Sequence, residues 1–284
     1  MQYNVSELVF ELDGSDYLVR RMADYALKEH SLSCDFLVKI KYKDEIVLPE
    51  GKVVLRGERF CVLEKEDKSF VLFRLLKGFN IVSALVEFSE NSACITLLDY
   101  GDYKVDTEIE RDFFVLGDVF NHFALLNNKM VLHGSTIVTK GKSVIFSAPS
   151  GTGKSTHTGL WKKYYPDTIL LNDDTPVVGK KDNMFYAWGS PWSGKTEINE
   201  NIAAPLAAVV FINRGTENKI ERISAKTALP LLINEARKIP VKEEMERALD
   251  MCFALAREVP IYKLYCDISK EAVETVRKEL NIYD

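Results

Sequence analysis

The sequence lacks the excess of basic residues that marks most nucleic-acid-binding proteins. Its 37 lysines and arginines are outnumbered by 42 aspartates and glutamates, which gives a formal net charge of −5. It also lacks any apolar run near the roughly 20 residues of a membrane span. Its first residues, MQYNVSELVF, have neither the basic segment nor the apolar core of a signal peptide. We therefore expect no nucleic-acid partner, no membrane partner and a cytoplasmic location.

Cysteine is also sparse, and its spacing shows no pairing pattern. The five residues are odd in number and none of them belongs to a C-x-x-C pair; they are Cys34, Cys61, Cys94, Cys252 and Cys266. This spacing favours reduced thiols that pack as small buried hydrophobes.

Length and composition indicate a globular chain with two domains. The 284 residues suffice for two cores, and 46% hydrophobic with 28% charged residues excludes a disordered or fibrous chain. The sequence contains no internal repeat and no low-complexity tract. We place the two domains at residues 1–110 and 111–284.

The first domain is expected to be rich in β-structure. Apolar and polar residues alternate in six short segments separated by glycines and charged turns: FLVKIKY, KVVLRG, FCVLEK, FVLFRLL, IVSALVEF and CITLLDY. Only Ser15–Glu29 has helical spacing. The pattern predicts an antiparallel sheet carrying one helix, in a structural or substrate-docking role and without a catalytic constellation.

The second domain is expected to combine helices with further strands, which makes the whole chain an α+β or α/β protein. A helix over Phe113–Asn127 precedes the strand candidates VLHGSTIV and SVIFSA. The helix KSTHTGLWKKYY, the strand TILL and a hairpin from TPVVG to MFYAW follow. The last part has the strand candidates LAAVVFI, NKIERIS and VPIYKLY with two or three helices.

Two stretches compete for the role of phosphate-binding loop. The pattern G-x-x-x-x-G-K-[ST] is matched by GSPWSGKT, from Gly189 to Thr196. The stretch APSGTGKST, from Ala148 to Thr156, has alanine where the first glycine should be. Such a loop works because consecutive backbone N–H groups converge on an anion at the start of a helix.

The context favours the imperfect match. An apolar strand, Val144–Phe146, precedes it and a helical segment follows it, whereas Pro191 and Trp192 interrupt the other stretch. We expect Trp192 to be a core aromatic residue. The predicted triphosphate cradle is therefore formed by Ser150, Gly151, Thr152, Gly153, Lys154, Ser155 and Thr156. Ala148 must then adopt a backbone conformation open to alanine.

A magnesium site is predicted beside this loop. Mg²⁺ prefers oxygen ligands and keeps several waters, so the Ser155 hydroxyl and one carboxylate suffice. Asp173 and Asp174 end the next strand, at the same sheet edge as the loop if the two strands are parallel. Both face the phosphates only if the chain turns there, as Thr175-Pro176 permits. One would bind metal and the other would accept a proton from an attacking hydroxyl.

The segments VLHGSTIVTKGKSVIFSAPSGTGKST and TILLNDD resemble those of HPr kinase/phosphorylase, a family that shares its fold with ATP-dependent phosphoenolpyruvate carboxykinase. The resemblance covers about residues 131–280. It implies an ATP- and Mg²⁺-dependent kinase domain with a mixed sheet. The family's longer substrate-binding segment and its N-terminal domain have no counterpart here, so HPr itself and oxaloacetate are not the expected substrates.

The resemblance also implies roles for individual residues. Asp173 would be the general base, Asp174 would bind the metal with Ser155, and Lys154 would hold the β- and γ-phosphates. His133, of a histidine-glycine pair, would support the catalytic aspartate. Lys195 would neutralise phosphate or acceptor, and Arg214 would be a cationic stabiliser.

Three functions stay open at this point. The leading one is a kinase that phosphorylates a hydroxyl, most simply a serine of a peptide or small protein. The others are a kinase of a small hydroxyl compound such as free serine, and an ATP-binding regulator that transfers nothing. The second carboxylate favours an enzyme, because a sensor needs only one for Mg²⁺. A homo-oligomer is compatible with the sequence.

Overall fold

The computed structural model describes residues 1–29, 33–57, 60–100 and 110–282. Its contacts divide the chain into two units, Met1–Phe120 and Asn121–Asp284. The division lies inside the helix α2 (Arg111–Leu126), whereas the boundary predicted from the sequence lies just before this helix. Each unit contains one large mixed sheet, so the chain has the mixed α/β character expected from its sequence.

Eight strands of the described residues form the sheet of the first unit. They are β1 (Gln2–Val5), β2 (Leu8–Asp13), β3 (Phe36–Lys43), β4 (Lys52–Arg56), β5 (Cys61–Glu64), β6 (Phe70–Leu75), β7 (Val82–Ser89) and β8 (Ser92–Leu98). Their order in the sheet is β1-β2-β3-β8-β7-β6-β5-β4. The prediction of an antiparallel sheet was wrong for β3, which runs parallel to both β2 and β8. The chain crosses back between β2 and β3, as a parallel pair requires.

The helix of the first unit is shorter than predicted. Helix α1 covers Asp16–Arg21 and is followed by a 3₁₀ turn at Ala23–Tyr25, instead of extending to residue 29. The reason is competition from the edge of the sheet, because the Leu27 N–H donates to the Gln2 carbonyl. The backbone groups that would have continued the helix are thus used by β1.

The second unit is built on a larger sheet. Its strands are β9 (Lys129–Leu132), β10 (Gly134–Thr139), β11 (Lys142–Ser147), β12 (Ile169–Asn172), β13 (Val177–Lys181), β14 (Met184–Trp188), β15 (Ala203–Arg214), β16 (Lys219–Arg222), β17 (Ala236–Arg237) and β18 (Ile261–Cys266). Eight of them follow the order β12-β10-β11-β15-β14-β13-β9-β17, and β18 pairs with β15 and β16. Strand β15 runs parallel to β11 and β18 and antiparallel to β14.

Helices cover both faces of the central strands of this sheet. They are α3 (Lys154–Tyr164), α4 (Ala225–Glu235), α5 (Lys242–Glu258) and α6 (Lys270–Glu279). Ile145 and Val209 pack with residues of α4 and α5, whereas their neighbours Phe146 and Val210 pack with residues of α3 and α6. A strand that is buried on both faces has a continuous apolar sequence, which explains why apolar and polar residues do not alternate in the segment LAAVVFI of β15.

The predicted strand VLHGSTIV is in fact two strands separated by His133. Strand β9 ends at Leu132 and β10 begins at Gly134, in different parts of the sheet. At the break, the His133 N–H donates to the Glu235 carbonyl and the Gly134 N–H donates to the Asp174 carbonyl. His133 is thereby placed where the strands diverge, next to the acidic doublet.

The fold also bears on the predictions for the cysteines and for membrane-spanning segments. All five cysteines are free thiols, but only Cys61, Cys252 and Cys266 are buried; Cys34 and Cys94 are partly exposed. No helix among the described residues is long and apolar enough to cross a membrane.

Candidate functional site

The stretch Ser150–Thr156 has the backbone of a phosphate-binding loop. It follows β11 directly, and α3 begins within it at Lys154. Gly151 (φ +76°) and Gly153 (φ +121°) both adopt left-handed conformations, and apart from the adjoining residues no described atom lies within 4 Å of the position a Cβ would occupy there. The need for glycine is therefore conformational. The first N–H groups of α3 have no acceptor within the helix, so they are free to bind an anion.

Alanine is compatible with position 148, where the motif has glycine, because the backbone there does not need a positive φ. Ala148 is not among the residues with a positive φ, and it is 1% exposed in the core that includes Phe146 and Trp161. Its carbonyl accepts a hydrogen bond of 2.8 Å from the Lys154 ammonium group. The departure from the motif therefore leaves the loop intact.

Lys154 is buried beside negative charges. Lys154 is only 7% exposed, and this burial lowers the pKa of its ammonium group. The negative charges of Asp174 and Glu235 raise the pKa but do not outweigh the burial. A buried amine at the start of a helix is suited to exchange its carbonyl partner for a phosphate oxygen.

Asn172 turns the chain immediately after β12. Its Oδ1 accepts hydrogen bonds from the N–H groups of Asp174 (2.9 Å) and Thr175 (2.6 Å), and its Nδ2 donates to the Ser190 carbonyl (2.8 Å). The turn brings both Asp173 and Asp174 to one cavity, instead of the opposite faces that an extended strand would give them.

Asp173 is held between two hydroxyl groups. Ser135 donates to its Oδ1 at 2.6 Å, and Thr196 donates to its Oδ2 at 2.9 Å. The carboxylate is 8% exposed. Its orientation is thus fixed from both sides, although neither hydroxyl was identified from the sequence, because the contacts join distant parts of the chain.

Asp174 belongs to a chain of ionisable side chains. The His133 Nε2 lies 3.5 Å from Asp174 Oδ1, and His133 Nδ1 lies 2.7 Å from Glu235 Oε2. Arg237 approaches the other Asp174 oxygen at 3.9 Å. The sequence predicted that His133 supports the proposed base, Asp173, whereas in the structure it approaches Asp174. Glu235 and Arg237 were missed because no local pattern marks them.

Glu235 is the buried end of this chain. Burial raises the pKa of the Glu235 carboxyl, but hydrogen bonds from His133 and Asn234 and the charges of His133 and Lys154 together bring it below the ordinary value. Glu235 therefore fixes the imidazole through Nδ1 and leaves Nε2 for Asp174.

The loop, the doublet and His133 line one cavity of about 480 Å³. Its lining residues are His133, Ser150, Gly151, Gly153, Lys154, Ser155, Thr156, Asp173, Asp174, Ser193, Gly194, Lys195 and Thr196. The structure thus brings together every residue predicted for the site except Thr152 and Arg214.

The stretch GSPWSGKT forms part of the same cavity but does not lead into an α-helix. It contains a 3₁₀ turn at Gly194–Thr196, and the described chain from Glu197 to Ile202 is not helical. Its glycines are explained by packing, because a Cβ would lie 1.9 Å from the Glu200 carbonyl oxygen at Gly189 and 3.0 Å from Asp174 Cβ at Gly194. Trp192 is buried, as expected.

A second cavity of about 620 Å³ lies on the other side of the loop and shares Gly151, Gly153 and Thr156 with the first. Arg214 lines it and donates to the carbonyls of Gly151 (2.5 Å) and Thr152 (3.2 Å). Arg214 therefore braces the loop from outside the cavity that contains the carboxylates, and its role as a cationic stabiliser stays a prediction.

Apolar and polar groups are combined in the second cavity. Leu160, Ile212 and Ile268 are among its lining residues. His157 also lines it, and burial lowers the pKa of this imidazole to about 4. His157 Nε2 accepts from Trp161 Nε1 (3.2 Å), and the buried Nδ1 has no hydrogen-bond partner in the part of the chain that the structure describes. The neutral ring thus carries its proton on Nδ1, which is enclosed by the protein.

Comparisons with known proteins identify one family. The family model described as "SynChlorMet cassette protein ScmC" matches residues 106–281, more than half of the chain. A solved structure described as the HPr(Ser) kinase/phosphatase from Coxiella burnetii is similar with a TM-score of 0.31 and 10% identity, over 53% of this chain and 92% of that one. A likeness this weak carries no argument about function. No curated protein matches the sequence.

Replacement of Asn172 is expected to destabilise the second unit. Asn172→Ala leaves the N–H groups of Asp174 and Thr175 without their acceptor. Thr175 is buried, and a buried unsatisfied group costs about 1–3 kcal/mol. Urea unfolding followed by tryptophan fluorescence measures the effect, because all three tryptophans lie in residues 121–284. Asn213→Ala is the control, since the Asn213 amide donates one bond of 3.3 Å. Equal losses in the two variants would contradict the turn-forming role of Asn172.

Proposed function

We propose that this chain, which belongs to the SynChlorMet cassette protein ScmC family, is an ATP- and Mg²⁺-dependent kinase that phosphorylates a hydroxyl group. The observation that carries the proposal is one cavity that holds the start of a helix, a buried lysine and two carboxylates. Anion-binding groups and proton-accepting groups within one cavity are what phosphoryl transfer requires.

The triphosphate of ATP would lie on the loop Ser150–Thr156. The unpaired N–H groups at the start of α3 and the Lys154 ammonium group supply the donors for it. The nucleoside would occupy the second cavity, which borders the same loop and is lined in part by the apolar side chains of Leu160, Ile212 and Ile268. Arg214 keeps the loop in place between the two cavities.

The residues present fit a magnesium ion bound mainly through phosphate oxygens and water. The described residues contain no group of three or more histidine, cysteine, aspartate and glutamate side chains able to hold a metal. Ser155 and Asp174, which line the cavity next to the loop, would be its protein ligands. When bound, Mg²⁺ would neutralise negative charge on the phosphates. His133 and Glu235 orient Asp174 for this role.

Asp173 would accept the proton of the attacking hydroxyl. Hydrogen bonds from Ser135 and Thr196 fix its carboxylate, and it borders the same cavity as Lys154. Lys195, an exposed residue of the cavity wall, would neutralise charge on the phosphate or the acceptor.

The acceptor we propose is a serine of a peptide or small protein. Gly194, Lys195 and Thr196 are exposed on the wall of the cavity that Asp173 and Asp174 also line, which supports an acceptor hydroxyl carried on a larger molecule. A small hydroxyl compound is the alternative acceptor. Transfer from labelled ATP to a serine-containing peptide and to free serine, measured in parallel, separates the two.

Asp173→Asn is expected to abolish transfer and to spare nucleotide binding. The amide cannot take up the proton, and general bases contribute typically 10²- to 10⁴-fold to rates. We expect kcat to fall by about that factor, while calorimetry gives the same Kd for MgATP as in the unmodified chain.

Asp182→Asn, in the turn between β13 and β14, is the matched control because it removes one carboxylate outside both cavities. We expect it to retain transfer. Loss of MgATP binding in Asp173→Asn, or full transfer by that variant, would contradict the assignment of Asp173 as the base.

A further inference from the structure

A hydroxyl of this chain, that of Thr196, is hydrogen-bonded to the carboxylate proposed above as the base. Thr196 Oγ1 donates to Asp173 Oδ2 at 2.9 Å, and its other nearby acceptor, the Ser193 carbonyl, is farther away at 3.3 Å. Since a hydroxyl has one proton, the shorter contact directs it to the carboxylate. Thr196 also lines the cavity that contains Lys154 and the start of α3.

Ser135, whose hydroxyl also donates to Asp173, differs from Thr196 in its burial and in its contacts. Ser135 is 1% exposed in the strand β10, its Oγ also lies 2.8 Å from Thr158 Oγ1, and it is not part of the cavity lining. Thr196 is exposed and lies on a surface turn. Ser135 is therefore suited to hold the carboxylate, and Thr196 is suited to exchange its proton for another group.

The turn that carries Thr196 is shaped to present it to the carboxylates. Gly194 (φ +70°) and Glu197 (φ +54°) both adopt left-handed conformations, which are unfavourable for a non-glycine residue such as Glu197. Gly194 also packs so closely on Asp174 that a Cβ would lie 3.0 Å from the Asp174 Cβ. The backbone thus fixes Thr196 beside the doublet, and Lys195 next to it supplies a positive charge for an added phosphate.

We infer that Thr196 is a site of self-phosphorylation, an inference that rests on the kinase function proposed above. In this step the bond between Thr196 Oγ1 and the γ-phosphorus of a nucleoside triphosphate forms. The bond between that phosphorus and the β–γ bridging oxygen breaks, and the nucleoside diphosphate leaves with the electron pair. The Thr196 proton passes to Asp173 Oδ2.

The test is incubation of the full chain with γ-labelled ATP and Mg²⁺ in the absence of any acceptor. We expect up to one phosphate per chain, located at Thr196 by mass spectrometry of the digested protein. Because the reaction is intramolecular, the fraction labelled per minute stays constant over a tenfold dilution of the protein.

Three variants sharpen the assignment. Thr196→Ser retains a hydroxyl and is expected to be labelled, whereas Thr196→Val, of similar shape, is expected to lose the label. Thr275→Val, on α6 and outside both cavities, is the control that keeps it.

Failure of the inference is distinguishable from failure of the proposed function. A chain that phosphorylates a peptide or free serine but carries no phosphate on Thr196 would overturn the inference and leave the kinase function standing. A label on another residue, or unchanged labelling of Thr196→Val, would overturn it equally. A chain that binds ATP and labels neither itself nor any acceptor would contradict both.

Discussion

Strand direction is the constraint on which the site depends. Strands β11 and β12 both pair antiparallel with β10, which lies between them, so they run in the same direction and end at the same edge of the sheet. The loop that follows β11 and the acidic doublet that follows β12 therefore meet. Asn172 completes the arrangement by turning the chain so that both carboxylates face the loop.

Burial of several charges in one cavity is tolerated because each has a specific partner. Asp173 accepts from Ser135 and Thr196, and Lys154 donates to the Ala148 carbonyl. Asp174 is approached by His133, which Glu235 orients. Adjacent carboxylates would otherwise repel each other and resist burial.

The sequence predicted the parts of the site that follow from local pattern. A strand, a glycine-rich loop and a helix in succession identified Ser150–Thr156 as the loop, even though GSPWSGKT matches the motif better. The position of the doublet at the same edge followed from the direction of the strands. Pro191 and Trp192 weighed against the second stretch, and the described chain from Glu197 to Ile202 is indeed not helical.

What the sequence did not predict depends on contacts between distant residues. The single strand expected at VLHGSTIV is divided at His133 by hydrogen bonds to Glu235 and Asp174. The helix expected to extend to Glu29 ends at Arg21, and the Leu27 N–H donates to the Gln2 carbonyl of the first strand instead of to a helix carbonyl. In the sequence Thr196 is only the last residue of the stretch GSPWSGKT. The hydrogen bond from its hydroxyl to Asp173 is seen only in the fold.

The most direct measurement is a crystal structure of the full chain with Mg²⁺ and a non-hydrolysable ATP analogue. The account predicts β- and γ-phosphates on the N–H groups of residues 151–156, with Lys154 Nζ transferred from the Ala148 carbonyl to a phosphate oxygen. It also predicts the metal between Ser155 and Asp174. Phosphates bound to the GSPWSGKT stretch, or a nucleotide remote from the doublet, would contradict it.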